Sequence, residues 1–190
     1  MKTSKKSGII LDRDGVLVQN KGLVWQVKQL RLSPKITLLI KYFNQKKIPI
    51  IIITNQPVVA RGWITEKEVK KLHQIIQQRL NKRGAFIDKF YFCPHHPKAN
   101  LKKYRMNCSC RKPKIGLFKE AIKEFKLDPK KTITIGDMTQ DILAGKKAEI
   151  KSILVKTAWG GKDKKYKIKP NWIAKNPFEA LKLAKKILKP

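Results

Sequence analysis

The chain carries 13 acids against 45 lysines and arginines, so the place of each acid is informative. Two stand together in Asp12-Arg13-Asp14-Gly15, directly after the short apolar run Gly8 to Leu11. Two more stand in Gly136-Asp137-Met138-Thr139-Gln140-Asp141, after the run that begins at Thr132. Where such runs are parallel strands, their carboxyl ends line one crevice and the two acid groups converge. Converging carboxylates repel one another and call for a cation. Hard oxygen donors suit Mg²⁺, which keeps waters and binds substrate phosphate. A third run, Ile48 to Thr54, delivers Thr54-Asn55, a hydroxyl and backbone N–H groups able to meet a phosphate. An aspartate can act as a covalent nucleophile. A second carboxyl two residues further along a tight turn can reach the leaving oxygen as acid and base. The chemistry these groups could perform together is phosphoryl transfer.

A second constellation is softer. Five of the six cysteines and histidines fall between Cys93 and Cys110, in Cys93-Pro94-His95-His96 and Cys108-Ser109-Cys110. Three cysteines placed so unevenly make a poor disulfide framework. Cys-x-His and Cys-x-Cys instead match a closed tetrahedral zinc site, with either His95 or His96 as the imidazole. Residues 94 to 113 have little periodicity, and zinc would pin a loop that has no core of its own. The remaining histidine, His73, reads as a helix-surface residue.

The elements that must position these groups alternate. Strands are expected at Gly8 to Leu11, Ile48 to Thr54, Phe90 to Phe92, Thr132 to Gly136 and Ser152 to Val155. Between them lie helical patterns. Ser33-Pro34 reads as a helix start with the helix running to about Lys46, and Thr65-Glu66-Lys67-Glu68 as a capping box. Val69, Leu72, Ile76 and Leu80 form one apolar face of the helix that follows. Further helices are expected at Ile115 to Phe125, at Thr139 to Lys147, and after Asn176-Pro177. This predicts an α/β chain, a Rossmann-like three-layer sandwich around a mainly parallel sheet with a zinc-binding loop. Residues 1–190 read as a single domain with that loop at 93–110.

Composition sets the outer bounds. Hydrophobic residues make up 42%, enough for a core despite a net charge of +32. No apolar run approaches the ~20 residues of a membrane span, and the basic start lacks the apolar stretch of a signal peptide, so a cytoplasmic location is expected. Lysine outnumbers arginine 38 to 7 and is spread along the chain. A sequence-specific nucleic-acid reader would cluster its basic residues and favour arginine, so any nucleic-acid binding is expected to be non-specific. A zinc-containing nucleic-acid-binding module is the competing reading, and it would need none of Asp12, Asp14 or Asp137.

Taken together, Asp12-Arg13-Asp14-Gly15, Thr54-Asn55-Gln56, Lys112 and Gly136-Asp137 with Asp141 resemble the haloacid dehalogenase superfamily of phosphatases. Their order and spacing fit across nearly the whole chain. The resemblance implies that Asp12 is the nucleophile, forming an aspartyl-phosphate, and Asp14 the general acid and base. It also implies Mg²⁺ held by Asp12, Asp137 and the backbone carbonyl of Asp14. The wording Cys93-Pro94-His95-His96-Pro97 and Cys108-Ser109-Cys110-Arg111-Lys112-Pro113 looks like the heptose bisphosphate phosphatases, with the histidinol-phosphate phosphatases as neighbours. That resemblance implies zinc on Cys93, His95, Cys108 and Cys110, with Thr54 and Lys112 on the transferred phosphate. Arg13, Asn20, Lys21, Gly22, Leu23, Asn55 and Arg111 are expected to meet the substrate, a phosphorylated small molecule, with the enzyme a monomer. Three positions depart from the pattern. Gln56-Pro57-Val58 replaces Gln-Ser-Gly, Met138 replaces a lysine, and Gly22-Leu23 replaces Gly-Tyr. Pro57 thereby removes a backbone donor and Met138 a cation.

Overall fold

The structure, a computed structural model, describes residues 5–20 and 22–189. Six strands form one parallel sheet: β1 (Lys6–Leu11), β2 (Ile50–Asn55), β3 (Lys89–Cys93), β4 (Leu127–Gly136), β5 (Lys151–Val155) and β6 (Trp172–Ala174). Their order is β3-β2-β1-β4-β5-β6. Among the described residues the α-helices are α1 (Ile36–Gln45), α2 (Pro57–Ala60), α3 (Glu66–Asn81), α4 (Gly116–Phe125), α5 (Thr139–Lys147) and α6 (Pro177–Leu188).

The near-continuous apolar strands have a direct cause. Both faces of the sheet are covered, so alternate side chains enter different cores. Ile9, Leu11, Ile50, Ile52, Ile133 and Ile135 pack beneath α1, α3 and α6. Ile10, Ile51 and Ile53 point the other way, onto Leu117, Phe118 and Ala121 of α4 and Ala144 of α5. The strand order reverses at β1, which lies between β2 and β4, and in such sheets the crevice for a ligand opens at the carboxyl ends beside that switch. The register Leu11↔Ile135 and Leu11↔Ile52 brings Asp12, Gly136 and Thr54 to that rim.

The local predictions hold where chemistry and pattern agree. Thr65 caps α3, its hydroxyl accepting from the Glu68 N–H while the Glu68 carboxylate accepts from the Thr65 N–H. Asn176 caps α6 and Pro177 takes its first position. The start of α1 differs. Its cap is Lys35, in a left-handed conformation (φ 56°) without a side-chain cap bond. The Ser33 hydroxyl is used elsewhere, donating to the Val16 carbonyl at 2.5 Å. His73 is corrected too: it is 5% exposed, on the inner face of α3. Neither β6 nor the one-turn α2 was anticipated. Residues 94–113 are irregular apart from a single turn at Lys102–Tyr104.

Candidate active site

Asp12 follows β1, and its N–H donates to the Ile135 carbonyl of β4 (3.0 Å), which locks the two strand ends together. Gly15 has φ +87°, and a Cβ there would stand 2.5 Å from Asp137 Oδ2. Only glycine lets the turn pass this close to the second acid group. A Cβ on Gly136 would meet the Asp141 Cβ at 2.2 Å. The acids do converge: carboxylate oxygens of Asp12, Asp137 and Asp141 lie within 4.8 Å of one another. Asp141, named in the motif but outside the expected magnesium set, belongs to this cluster. The Asp14 carboxylate does not.

Lys112 is 3% exposed and neutralises part of the cluster. Its Nζ lies 2.8 Å from Asp12 Oδ1 and 2.7 Å from Asp141 Oδ1, and donates to the Ile53 carbonyl at 2.7 Å. Burial opposes its charge, but Asp12 and Asp141 outweigh burial and its pKa is raised. Burial pushes Asp12 up to about 6, with Lys112 pulling it down and Asp141 and Asp14 pushing it further up. Burial, with repulsion from Asp12 and Asp141, pushes Asp137 up to about 9. Asp137 Oδ2 accepts from the Trp159 N–H (3.1 Å), while its Oδ1 is buried with no hydrogen-bond partner among the described residues. An orphaned carboxylate oxygen beside two more carboxylates is a donor set that fits a hard divalent cation.

Arg13, expected to meet the substrate, is not on the wall of the cavity above Asp12. Its side chain is fully buried and its donors are directed at partners within the protein. It grips Asp14 through two parallel bonds, Nε to Oδ1 and Nη2 to Oδ2, each 2.8 Å. Nη2 also faces Gln56 Oε1 (2.8 Å) and the Val24 carbonyl (2.6 Å), and Nη1 donates to His73 Nε2 (3.3 Å). Burial, and then the nearby Arg13, hold the His73 pKa well below its ordinary value. Gln56 Nε2 donates to Asp14 Oδ2 (3.1 Å) and Thr54 Oγ1 (2.9 Å). Asp14 Oδ2 thus receives Arg13, Gln56 and a longer bond from the Val24 N–H (3.4 Å), whereas among the described residues Oδ1 receives only Arg13. Oδ1 is therefore the oxygen with room to carry a proton. Sequence reasoning named Gln56 within the motif without a role of its own and placed His73 on the helix surface.

A cavity of 260 Å³ opens over this cluster, with Asp12, Asp14, Thr54 and Asn55 among its walls. Gly22, Leu23 and Arg111, expected to meet the substrate, line it, and so do Arg61, Lys165 and Trp159, to which the sequence assigned no role. Asn55 is largely occupied: its amide pairs with both the N–H and the C=O of Lys112 (3.0 and 3.2 Å), so it ties β2 to the loop. Asn20 does not line this cavity. Its amide bonds the Leu23 carbonyl at 3.5 Å, and it faces a neighbouring space of 740 Å³ near Lys35 and the start of α6. That larger space holds neither Asp12 nor Asp137 and is not the chemical one. Lys21 lies outside the described residues.

The soft cluster also assembles. Cys110 Sγ is 3.0 Å from both Cys93 Sγ and Cys108 Sγ, and His95 Nδ1 is 3.3 Å from Cys110 Sγ. His95 is the imidazole in this group, whereas His96 lines the cavity. Burial raises the Cys93 thiol and lifts Cys110 to about 11. Three sulfurs and one imidazole are a donor set that fits zinc. Arg111 Nη1 donates to the His95 carbonyl (3.0 Å), so the same loop carries Arg111 to the cavity and Lys112 to Asp12.

Known proteins resemble this chain in sequence and in fold. The family described as HAD-hydrolase-like matches over residues 109–180. A D-glycero-beta-D-manno-heptose-1,7-bisphosphate 7-phosphatase of Haemophilus ducreyi is 34% identical over 80% of this chain and 84% of its own length. The enzyme of the same name from Pasteurella multocida is 37% identical over 80% and 83%. The crystal structure of a D,D-heptose 1,7-bisphosphate phosphatase from B. bronchiseptica, complexed with magnesium and phosphate, superposes with a TM-score of 0.83. It is 24% identical and covers 96% of this chain and 98% of that one.

Proposed function

The chain belongs to the family of heptose 1,7-bisphosphate 7-phosphatases, and on that premise we propose that it removes the 7-phosphate of D-glycero-D-manno-heptose 1,7-bisphosphate through an aspartyl-phosphate on Asp12. One observation carries this reading. Asp12 sits at the base of a cavity with one oxygen on Lys112, and a second, separately held carboxylate stands two residues away.

The roles follow from the contacts. Lys112 fixes the rotamer of Asp12 and offsets the charge that would repel a phosphate. In the first half-reaction the Asp12 carboxylate attacks phosphorus and the bond to the sugar oxygen breaks. The proton on Asp14 Oδ1 passes to that leaving oxygen. In the second half-reaction Asp14 Oδ1 takes a proton from water, the water oxygen attacks phosphorus, and Asp12 is released with inorganic phosphate. Thr54 offers its hydroxyl to the phosphate, and Arg111 faces the rest of the sugar from the zinc loop. Asp12, Asp137 and the Asp14 carbonyl would hold Mg²⁺, which would shield the anionic nucleophile from the anionic phosphate. Cys93, His95, Cys108 and Cys110 would hold a structural zinc. Residues 1–190 act as one catalytic domain.

The test is phosphate release from heptose 1,7-bisphosphate and from histidinol phosphate, with Mg²⁺ and with chelator, for wild type and Asp12→Asn. Release from the heptose is expected to have the higher kcat/KM, to need Mg²⁺ and to vanish in the variant, which should remain folded. Near-normal turnover by Asp12→Asn would refute the covalent route. A preference for histidinol phosphate would refute the heptose assignment alone.

A further inference from the structure

We propose that His73 is a positioning residue for the general acid, acting through Arg13 on Asp14; this rests on the acid–base role given to Asp14 above. His73 lies sixty residues from Arg13 in sequence. Arg13 is wholly buried, so every N–H must find an acceptor within the protein or stand bare at a cost. Nε and Nη2 are directed at Asp14, with Gln56 and the Val24 carbonyl sharing Nη2. Nη1 has one partner among the described residues, His73 Nε2 at 3.3 Å. A guanidinium only donates, so the ring nitrogen facing it is the acceptor and the ring proton sits on Nδ1. The ring itself is held: it stacks on Phe90, centroids 4.7 Å apart, and meets Phe92 edge-on at 5.7 Å. β3 braces the ring, the ring braces the guanidinium, and the guanidinium holds both oxygens of Asp14. His73 does not line the cavity. Without the acceptor one edge of the guanidinium is bare, the paired grip can tilt, and Asp14 tilts with it.

The consequence depends on the leaving group. During transfer to Asp12 an alkoxide needs the proton of Asp14, whereas a phenolate of low basicity leaves without it. kcat/KM reports this transfer and excludes the later hydrolysis of the aspartyl-phosphate, which is common to all substrates. The experiment measures kcat/KM on heptose 1,7-bisphosphate and on dinitrophenyl phosphate for wild type, His73→Phe, His73→Gln and Asp14→Asn, with thermal melts of each. Phe keeps the stack and removes the acceptor; Gln supplies an acceptor oxygen. His73→Phe is expected to lose roughly tenfold on the sugar phosphate and less than about twofold on the aryl phosphate, with His73→Gln near wild type. Equal losses on both substrates, no loss, or a His73→Phe chain too unstable to purify would overturn the proposal, since each makes His73 part of the core alone. Asp14→Asn is the reference. If it shows no leaving-group split, the acid–base reading of Asp14 fails and the proposal falls with it. If it shows the split and His73→Phe does not, only the proposal fails.

Discussion

Asp12 and Asp137 are both held above the ordinary carboxylate range. Burial comes first for both: at Asp12 it outweighs the pull of Lys112, with Asp141 and Asp14 adding to it, and at Asp137 repulsion from Asp12 and Asp141 adds to it, lifting them to about 6 and about 9. Unfolded aspartates titrate near 3.8, so the folded, cation-free chain keeps protons that the unfolded chain has released. Stability without a cation therefore falls as pH rises through that window. A divalent cation replaces those protons, so the gain in Tm from Mg²⁺ should grow between about pH 5 and about pH 8. Thermal melts with Mg²⁺ and with chelator across that range check it; a gain independent of pH would remove these carboxylates as the ligands. The convergence of the acids was legible because acids are scarce here and two groups of them end strands. The burial of Arg13 was not, because a buried charge is recognised by its partners. Those partners, Gln56, His73 and the Val24 carbonyl, come from three other segments. His73 did leave a signal: it lies four residues after Val69, three before Ile76 and seven before Leu80, on the apolar stripe itself.

At the scale of elements, the loop from Cys93 to Pro113 couples the soft cluster to the chemistry. Its far end is pinned to β2 by the paired bonds between Asn55 and Lys112, and its near end is β3 itself. The purified protein should carry about one zinc per chain. Cys108→Ser should lose that zinc, expose residues 94–111 to proteolysis, and lower kcat by roughly tenfold to a hundredfold through misplacement of Lys112. Metal analysis, limited digestion and steady-state kinetics on the variant check the three parts. Full zinc content with full activity would show that the four residues do not act as one site. The loop could be read from sequence because its donors are chemically rare and closely spaced. The start of α1 could not. Ser33-Pro34 has the right residue types, but the Ser33 hydroxyl answers the Val16 carbonyl, a tertiary demand that a local pattern does not contain. β6 escaped for a related reason: its three residues show the burial of an edge strand, with Ile173 exposed and Ala174 buried, too short a pattern for alternation to register.

The whole molecule carries a net charge of +32, and its effect on catalysis separates into near and far parts. Near the chemistry, Lys112 is consumed by Asp12 and Asp141, and Met138 brings no charge to the wall it lines. Among the described residues, Arg61, Arg111 and Lys165 are the cations on the cavity wall. A bisphosphorylated substrate approaching this mouth is drawn both by those three groups and by the wider field of the lysine-rich surface. The two contributions respond differently to salt. Contacts made at hydrogen-bond distance inside the cavity are screened little. The field from residues more than about 10 Å away is largely screened at an ionic strength of about 0.1 M. KM for the bisphosphate should therefore rise several-fold between about 20 mM and about 500 mM salt, with kcat nearly constant, because the field acts on capture and not on the bound complex. A neutral-leaving-group monophosphate, with fewer charges, should show a shallower rise. Steady-state kinetics over that salt series decides the matter. A flat KM would mean that the charge of this chain takes no part in gathering its substrate, and that recognition rests on the cavity wall alone.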